Sequence, residues 1–194
     1  MEIALGWGGA MREQLGSGDL GGVLSREQIQ DLLRRDPPLI AGMPDPENQL
    51  QPNGVDLTVD SVARFSEAGA VTVDNADRRL PATEPVPPDR SGRWVLAPGP
   101  YLVRFSETVN LPTTCMAYAR PRSSLLRCGA ALHTAVWDAG YSGQGVALLV
   151  VYNPAGFVLE RQARIVQLVF HWLGQPAVEG YRGAYQGETG QPAQ

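Results

Sequence analysis

The chain has 194 residues, enough for one domain with appendages, and its 43% hydrophobic content supports a sizeable core. A formal net charge of −4 argues against a general nucleic-acid-binding surface, and no uninterrupted apolar run is long enough to span a membrane. Cys115 and Cys128 form no CxxC pair and His133 and His171 share no metal-ligand spacing, which disfavours a disulfide framework and a protein-ligated metal centre.

Reduced, partly buried thiols fit a cytoplasmic protein. Glycine (22) and proline (16) favour many short elements joined by turns. All 16 basic residues are arginine, whose planar fork suits bidentate contacts to phosphate.

Residues 1–20 are glycine-rich and weakly patterned, and read as an N-terminal extension. They lack the basic segment and apolar stretch of a secretory signal, and Met11 offers an alternative start. The stretch LSREQIQDLLRR predicts a helix, with Ser25 as N-cap and Gln28 completing a capping box. Leu24 and Ile29 form a hydrophobic staple, Ile29, Leu32 and Leu33 an apolar stripe, and Pro37-Pro38 a stop. From about residue 50 the pattern turns to period two, with Val55, Leu57 and Val59 marking a short strand. Residues 72–93 are polar and proline-rich and read as a long loop. Trp94–Ala97, the turn Pro98-Gly99-Pro100 and Tyr101–Phe105 predict strand, turn, strand. Further strands are expected at Cys115–Ala119, Ala130–Thr134, Val146–Tyr152 and Ile165–Trp172, and the tail from Gly174 has few apolar anchors. The expected fold is therefore mainly β, a barrel or sandwich with one short N-terminal helix.

Four segments could carry chemistry. In QLQPNGVDLTVD, Asp56 sits inside a strand pattern, and taken alone it reads as an exposed strand carboxylate. In ARPRSSLLRCG, Arg122, Ser123, Ser124 and Arg127 gather guanidinium, hydroxyl and backbone donors in one bend, fit either for an anion or for a solvated helix. In TAVWDAGYSG, Asp138 stands between Trp137 and Tyr141 beside a glycine turn. It could deprotonate a water there, or bond to its own backbone, the commonest fate of aspartate before such turns. In RQARIVQLVFHWL, one face carries Arg164, Val166, Leu168, Phe170 and Trp172; the other carries Ile165, Gln167, Val169 and His171. A glutamine among apolar strand neighbours needs a partner.

In order, VDL, RPRSSL, WDAGYSG, RIVQLVF and YRGAYQGETG resemble the motif series of the dUTPase and dCTP deaminase superfamily, over about Gly22 to Gln191. The phrasing is most similar to its archaeal-type dUTPase branch. That resemblance implies a β-clip or distorted jelly-roll fold and a homotrimer with interfacial active sites. It divides the chain into a 1–20 extension, a 21–173 β domain and a 174–194 tail closing over the site. The implied reaction is hydrolysis of dUTP to dUMP and pyrophosphate, with Mg²⁺ carried on the triphosphate and no metal held by the protein. By position, Asp138 matches the acid that deprotonates the attacking water, and Asp56 a supporting acid. Tyr141 matches the residue under the deoxyribose, where a ribose 2′-hydroxyl would clash. Arg122, Ser123, Ser124 and Gln167 match phosphate-binding positions, with Arg127 beside them. The backbone of Thr134, Ala135 and Val136 would read uracil. Tyr181, Arg182, Tyr185 and Gln186 match the closing segment.

Deamination of dCTP in this superfamily uses a glutamate roughly ten residues beyond the aspartate, which moves protons between water and base. No Asp or Glu occurs from Ala139 to Leu159, so the deaminase reading loses its essential group. A catalytically inactive nucleotide-binding regulator is the remaining alternative; an intact Asp138 argues against it, because an unpaired carboxylate beside triphosphate gains a pure binder little.

Overall fold

The computed structural model describes residues 22–189. The extension expected over 1–20 and the last residues of the tail lie outside that range. Among the described residues the chain is mainly β, and no helix is long and apolar enough to cross a membrane.

Helix α1 (Arg26–Leu33) begins at a reciprocal capping box. The Gln28 N–H donates to Ser25 Oγ at 3.4 Å, and the Ser25 N–H donates to Gln28 Oε1 at 2.9 Å. Leu24 and Ile29 are both fully buried, as the staple requires. Among the described residues two further helices, α2 (Pro46–Gln49) and α3 (Ser123–Arg127), are single turns that the apolar periodicity does not mark.

The strands in chain order begin with β1 (Ile40–Ala41), β2 (Leu50–Gln51), β3 (Gly54–Phe65), β4 (Thr83–Pro85), β5 (Arg93–Leu96), β6 (Gly99–Phe105) and β7 (Thr108–Asn110). They continue with β8 (Cys115–Pro121), β9 (Ala130–His133), β10 (Val136–Trp137), β11 (Ser142–Gly143), β12 (Val146–Val151), β13 (Phe157–Glu160) and β14 (Arg164–Trp172). The main sheet runs β10-β8-β14-β3-β6-β12-β9, with small sheets β1-β7-β11 and β13-β5 beside it. Every pairing is antiparallel.

The short strand expected around Val55–Val59 is twelve residues long. Its first part pairs with β14 and its second with β6, and the register slips between Val59 and Ser61. Such a bulge bends the strand and increases its twist, which lets one sheet curl around a core. A second irregularity falls between Arg164 and Val166 on β14. It breaks the alternation expected there, so Ile165 and Val166 are both buried. Residues 72–93 are not wholly irregular: they hold a 3₁₀ turn at Asn75–Asp77 and strand β4. The core between the curled layers is filled by Val55, Leu57, Val103, Phe105, Leu149, Leu168 and Phe170.

β12 reads as an unbroken apolar run, yet its burial alternates. Ala147, Leu149 and Val151 enter the core. Leu148 faces a cleft opposite the outer face of β6, which carries Leu102 and Arg104.

Candidate active site

Asp138 lies in the turn between β10 and β11. Just before it, Trp137 is buried against Phe105, with ring centroids 6.2 Å apart, and fixes where the turn begins. The Tyr141 N–H donates to the Asp138 backbone carbonyl at 3.1 Å, closing the turn, and Gly140 supplies its φ of +84°. The Asp138 side chain is exposed and makes no hydrogen bond or ion pair among the described residues. An aspartate consumed by its own turn is therefore not what forms. The carboxylate faces a cleft of about 590 Å³ that it shares with Ala135, Val136, Tyr141, Tyr181 and Tyr185. Leu102, Val146 and Leu148 form one apolar wall.

Tyr141 is 7% exposed, and burial, assisted by nearby Glu188, pushes its phenol up to about 12. It stays neutral across the physiological range. Its ring meets that of Tyr181 edge-on, with centroids 5.7 Å apart. Together they form an aromatic corner of the cleft.

A second group of expected site residues gathers elsewhere. Asp56, far from being an exposed strand carboxylate, is 2% exposed on β3. Arg122 Nε lies 3.1 Å and Arg164 Nη1 3.4 Å from its Oδ2. Burial pushes the Asp56 carboxyl above its ordinary range, and the two guanidiniums pull it back. Gln167 stands across β14 from Asp56 on one side and Arg120 on the other. Arg122 is the N-cap residue of α3, Ser123 and Ser124 are exposed, and Arg127 Nη1 donates to the Ser123 carbonyl at 3.1 Å. None of Asp56, Arg122, Ser123, Ser124, Arg127 and Gln167 lines the Asp138 cleft. Thr134 also stays outside it, its hydroxyl donating to the Ala119 carbonyl at 3.5 Å.

The tail is anchored despite its few apolar residues. Gln186 does not line the cleft; it donates to the Gly140 carbonyl and accepts from the Ser142 N–H, both at 3.1 Å. Among the described residues Arg182 pairs with Glu179, on the surface.

Two charged cleft residues escaped the sequence reading. Glu188 brings a second carboxylate into the cleft from the tail, and Arg104 pairs with it at 3.5 Å. Period two within Tyr101–Phe105 places Arg104 on the face opposite Tyr101, Val103 and Phe105, which is a usable signal. Glu188 lies within the tail motif YRGAYQGETG, but its pairing with Arg104, 84 residues earlier, leaves no local mark.

The dCTP deaminase-like family profile matches residues 23–173. A relative from Methanosarcina mazei, named "Probable deoxyuridine 5'-triphosphate nucleotidohydrolase", is 48% identical over 168 residues, covering 86% of this chain and 98% of that one. A relative of the same name from Archaeoglobus fulgidus is 47% identical over 168 residues, covering 86% and 97%. Among solved structures, the 2'-deoxycytidine 5'-triphosphate deaminase from Agrobacterium tumefaciens superposes with a TM-score of 0.60 at 24% identity. That match covers 79% of this chain and 49% of the deaminase chain, and it supports the shared fold. With its curled antiparallel sheet and a profile match over most of its length, the chain belongs to the dCTP deaminase-like family.

Proposed function

We propose that this protein hydrolyses dUTP to dUMP and pyrophosphate. The observation that carries this reading is the free Asp138 carboxylate in a cleft whose β12 wall is wholly apolar. A water held by Asp138 attacks the α-phosphorus and gives its proton to the carboxylate. The bond from that phosphorus to the bridging oxygen breaks, and pyrophosphate leaves. The names of the archaeal relatives support the same substrate.

Deamination needs a proton carrier beside the base, and β12 turns the apolar side chains of Val146 and Leu148 to the cleft instead. Glu188 is engaged by Arg104 and bonded along its backbone, so its carboxylate is committed to holding the tail.

The separation of the Asp138 cleft from the Arg122 bend supports a site completed between subunits. Arg122, Ser123 and Ser124, supplied across such an interface, would offset the triphosphate charge, with Gln167 donating beside them. The exposed side chains of Tyr118, Arg120 and Val136 on the outer face of β8 and β10 suit association into the homotrimer. Mg²⁺ enters with the substrate, chelated by phosphate oxygens. A 174–194 closing segment, a 21–173 catalytic domain and a cytoplasmic setting complete the proposal.

The test is incubation with dUTP or dCTP in the presence of Mg²⁺. Pyrophosphate and dUMP from dUTP support the reading. Loss of ammonia from dCTP contradicts it, and tight binding without turnover points to a regulator.

A further inference from the structure

We infer that Arg104 and Glu188 form the joint that fixes the C-terminal segment over the Asp138 cleft of its own chain, and that both are positioning residues for Tyr141. This rests on the proposed dUTP hydrolysis for its functional consequence, but its geometry stands apart from that reading.

Residues 181–188 run beside the Asp138 turn. The Tyr181 N–H donates to the Ala139 carbonyl at 2.8 Å, the Gly187 N–H to Ser142 at 2.8 Å, and the Gln144 N–H to the Glu188 carbonyl at 2.7 Å. Turn glycines make this approach possible. A Cβ at Gly140 would lie 2.6 Å from the Gly180 Cα. One at Gly143 would lie 2.7 Å from the Tyr141 hydroxyl and 3.1 Å from the Glu188 backbone. Contacts that close are not accommodated by backbone, so the turn is shaped for the tail. At the far side the Arg78 guanidinium lies 5.5 Å from the Tyr185 ring centroid.

The charged joint sits at the end of this track. Arg104 projects from β6 beside the apolar wall, with its side chain 16% exposed, and Glu188 is 24% exposed. A guanidinium so sheltered needs a counter-charge, and among the described residues Glu188 is its ion-pair partner. The same carboxylate lies close enough to Tyr141 to raise its phenol. Tyr141 is therefore confined by Tyr181 on one side and by the Arg104–Glu188 pair on another. Loss of either charge frees the tail and loosens the tyrosine, while the water-activating carboxylate is untouched.

Two measurements test this. In a Cys128→Ser background, Ala139→Cys/Tyr181→Cys joins positions whose backbones are already hydrogen-bonded and leaves the Arg104–Glu188 pair in place. Oxidation is expected to give a link within one chain, running as a monomer on a non-reducing denaturing gel; dimeric bands, or no link, overturn docking on the same chain. Separately, Arg104→Gln and Glu188→Gln are each expected to raise amide exchange across residues 180–188. They should raise KM for dUTP about three- to tenfold with kcat within about twofold, as loss of a partly buried pair predicts. The charge swap Arg104→Glu/Glu188→Arg should recover much of the protection. Unchanged exchange in the single variants, or a swap no better than they are, overturns the joint. A protein inert toward dUTP that shows the exchange pattern would instead sink the functional reading and retain the joint.

Discussion

Asp138 is exposed and makes no side-chain contact among the described residues, whereas Asp56 is buried between two guanidiniums. One carboxylate is available to water; the other holds arginines in place. Asp138→Asn is expected to lower kcat on dUTP by about two to four orders of magnitude, the range of general-base losses, while changing dUTP binding by less than about threefold. Kinetics beside equilibrium titration check this. Glu107 is the other acid that burial controls. It is fully buried without an ion-pair partner among the described residues, and accepts from the Thr58 N–H and hydroxyl and from Gln49 Nε2. Burial pushes its carboxyl above the ordinary 4.5, and those donors oppose the rise. With its folded value raised, its contribution to stability is complete below pH 4.5 and is lost as pH climbs through the folded value. Melting temperature measured upward from pH 4.5 should therefore fall less steeply in Glu107→Gln than in the parent. The motif pattern around Asp138 makes its proposed role legible. The burial of Asp56 is not, because Arg122 and Arg164 reach it only through strand pairing.

The helix α1 is an element that sequence describes well, since capping box, staple and stripe are all local and all form. The tail shows the opposite case. It has few apolar anchors, and its hydrogen bonds go to a turn some forty residues earlier, with 44 separating Ser142 from Gln186. The bulged register of β3 and β14 is hidden for the same reason, because slippage between strands leaves no mark on either one alone. Gly143→Ala tests the turn-to-tail packing. Its Cβ would meet the Tyr141 hydroxyl at 2.7 Å and Glu188 at 3.1 Å, so faster proteolysis of the tail and a higher KM for dUTP are expected. Unaltered proteolysis and KM would show that the tail can shift at no cost.

At the scale of the whole molecule, the separation of two residue groups matters most. The Asp138 cleft holds the proposed base and the aromatic corner, and the Arg122 bend holds cations and hydroxyls outside it. An active oligomer with sites between subunits predicts complementation. Asp138→Asn chains and Arg122→Ala chains, each nearly inactive alone, should regain activity when unfolded and refolded together. Mixtures no more active than their components would argue for a site within one chain. The proposed attack on the α-phosphate is tested most directly by hydrolysing dUTP in ¹⁸O-labelled water with Mg²⁺ and weighing both products. Label in dUMP with none in pyrophosphate is the predicted result. Label in pyrophosphate, or no cleavage of dUTP where dCTP loses ammonia, would contradict it.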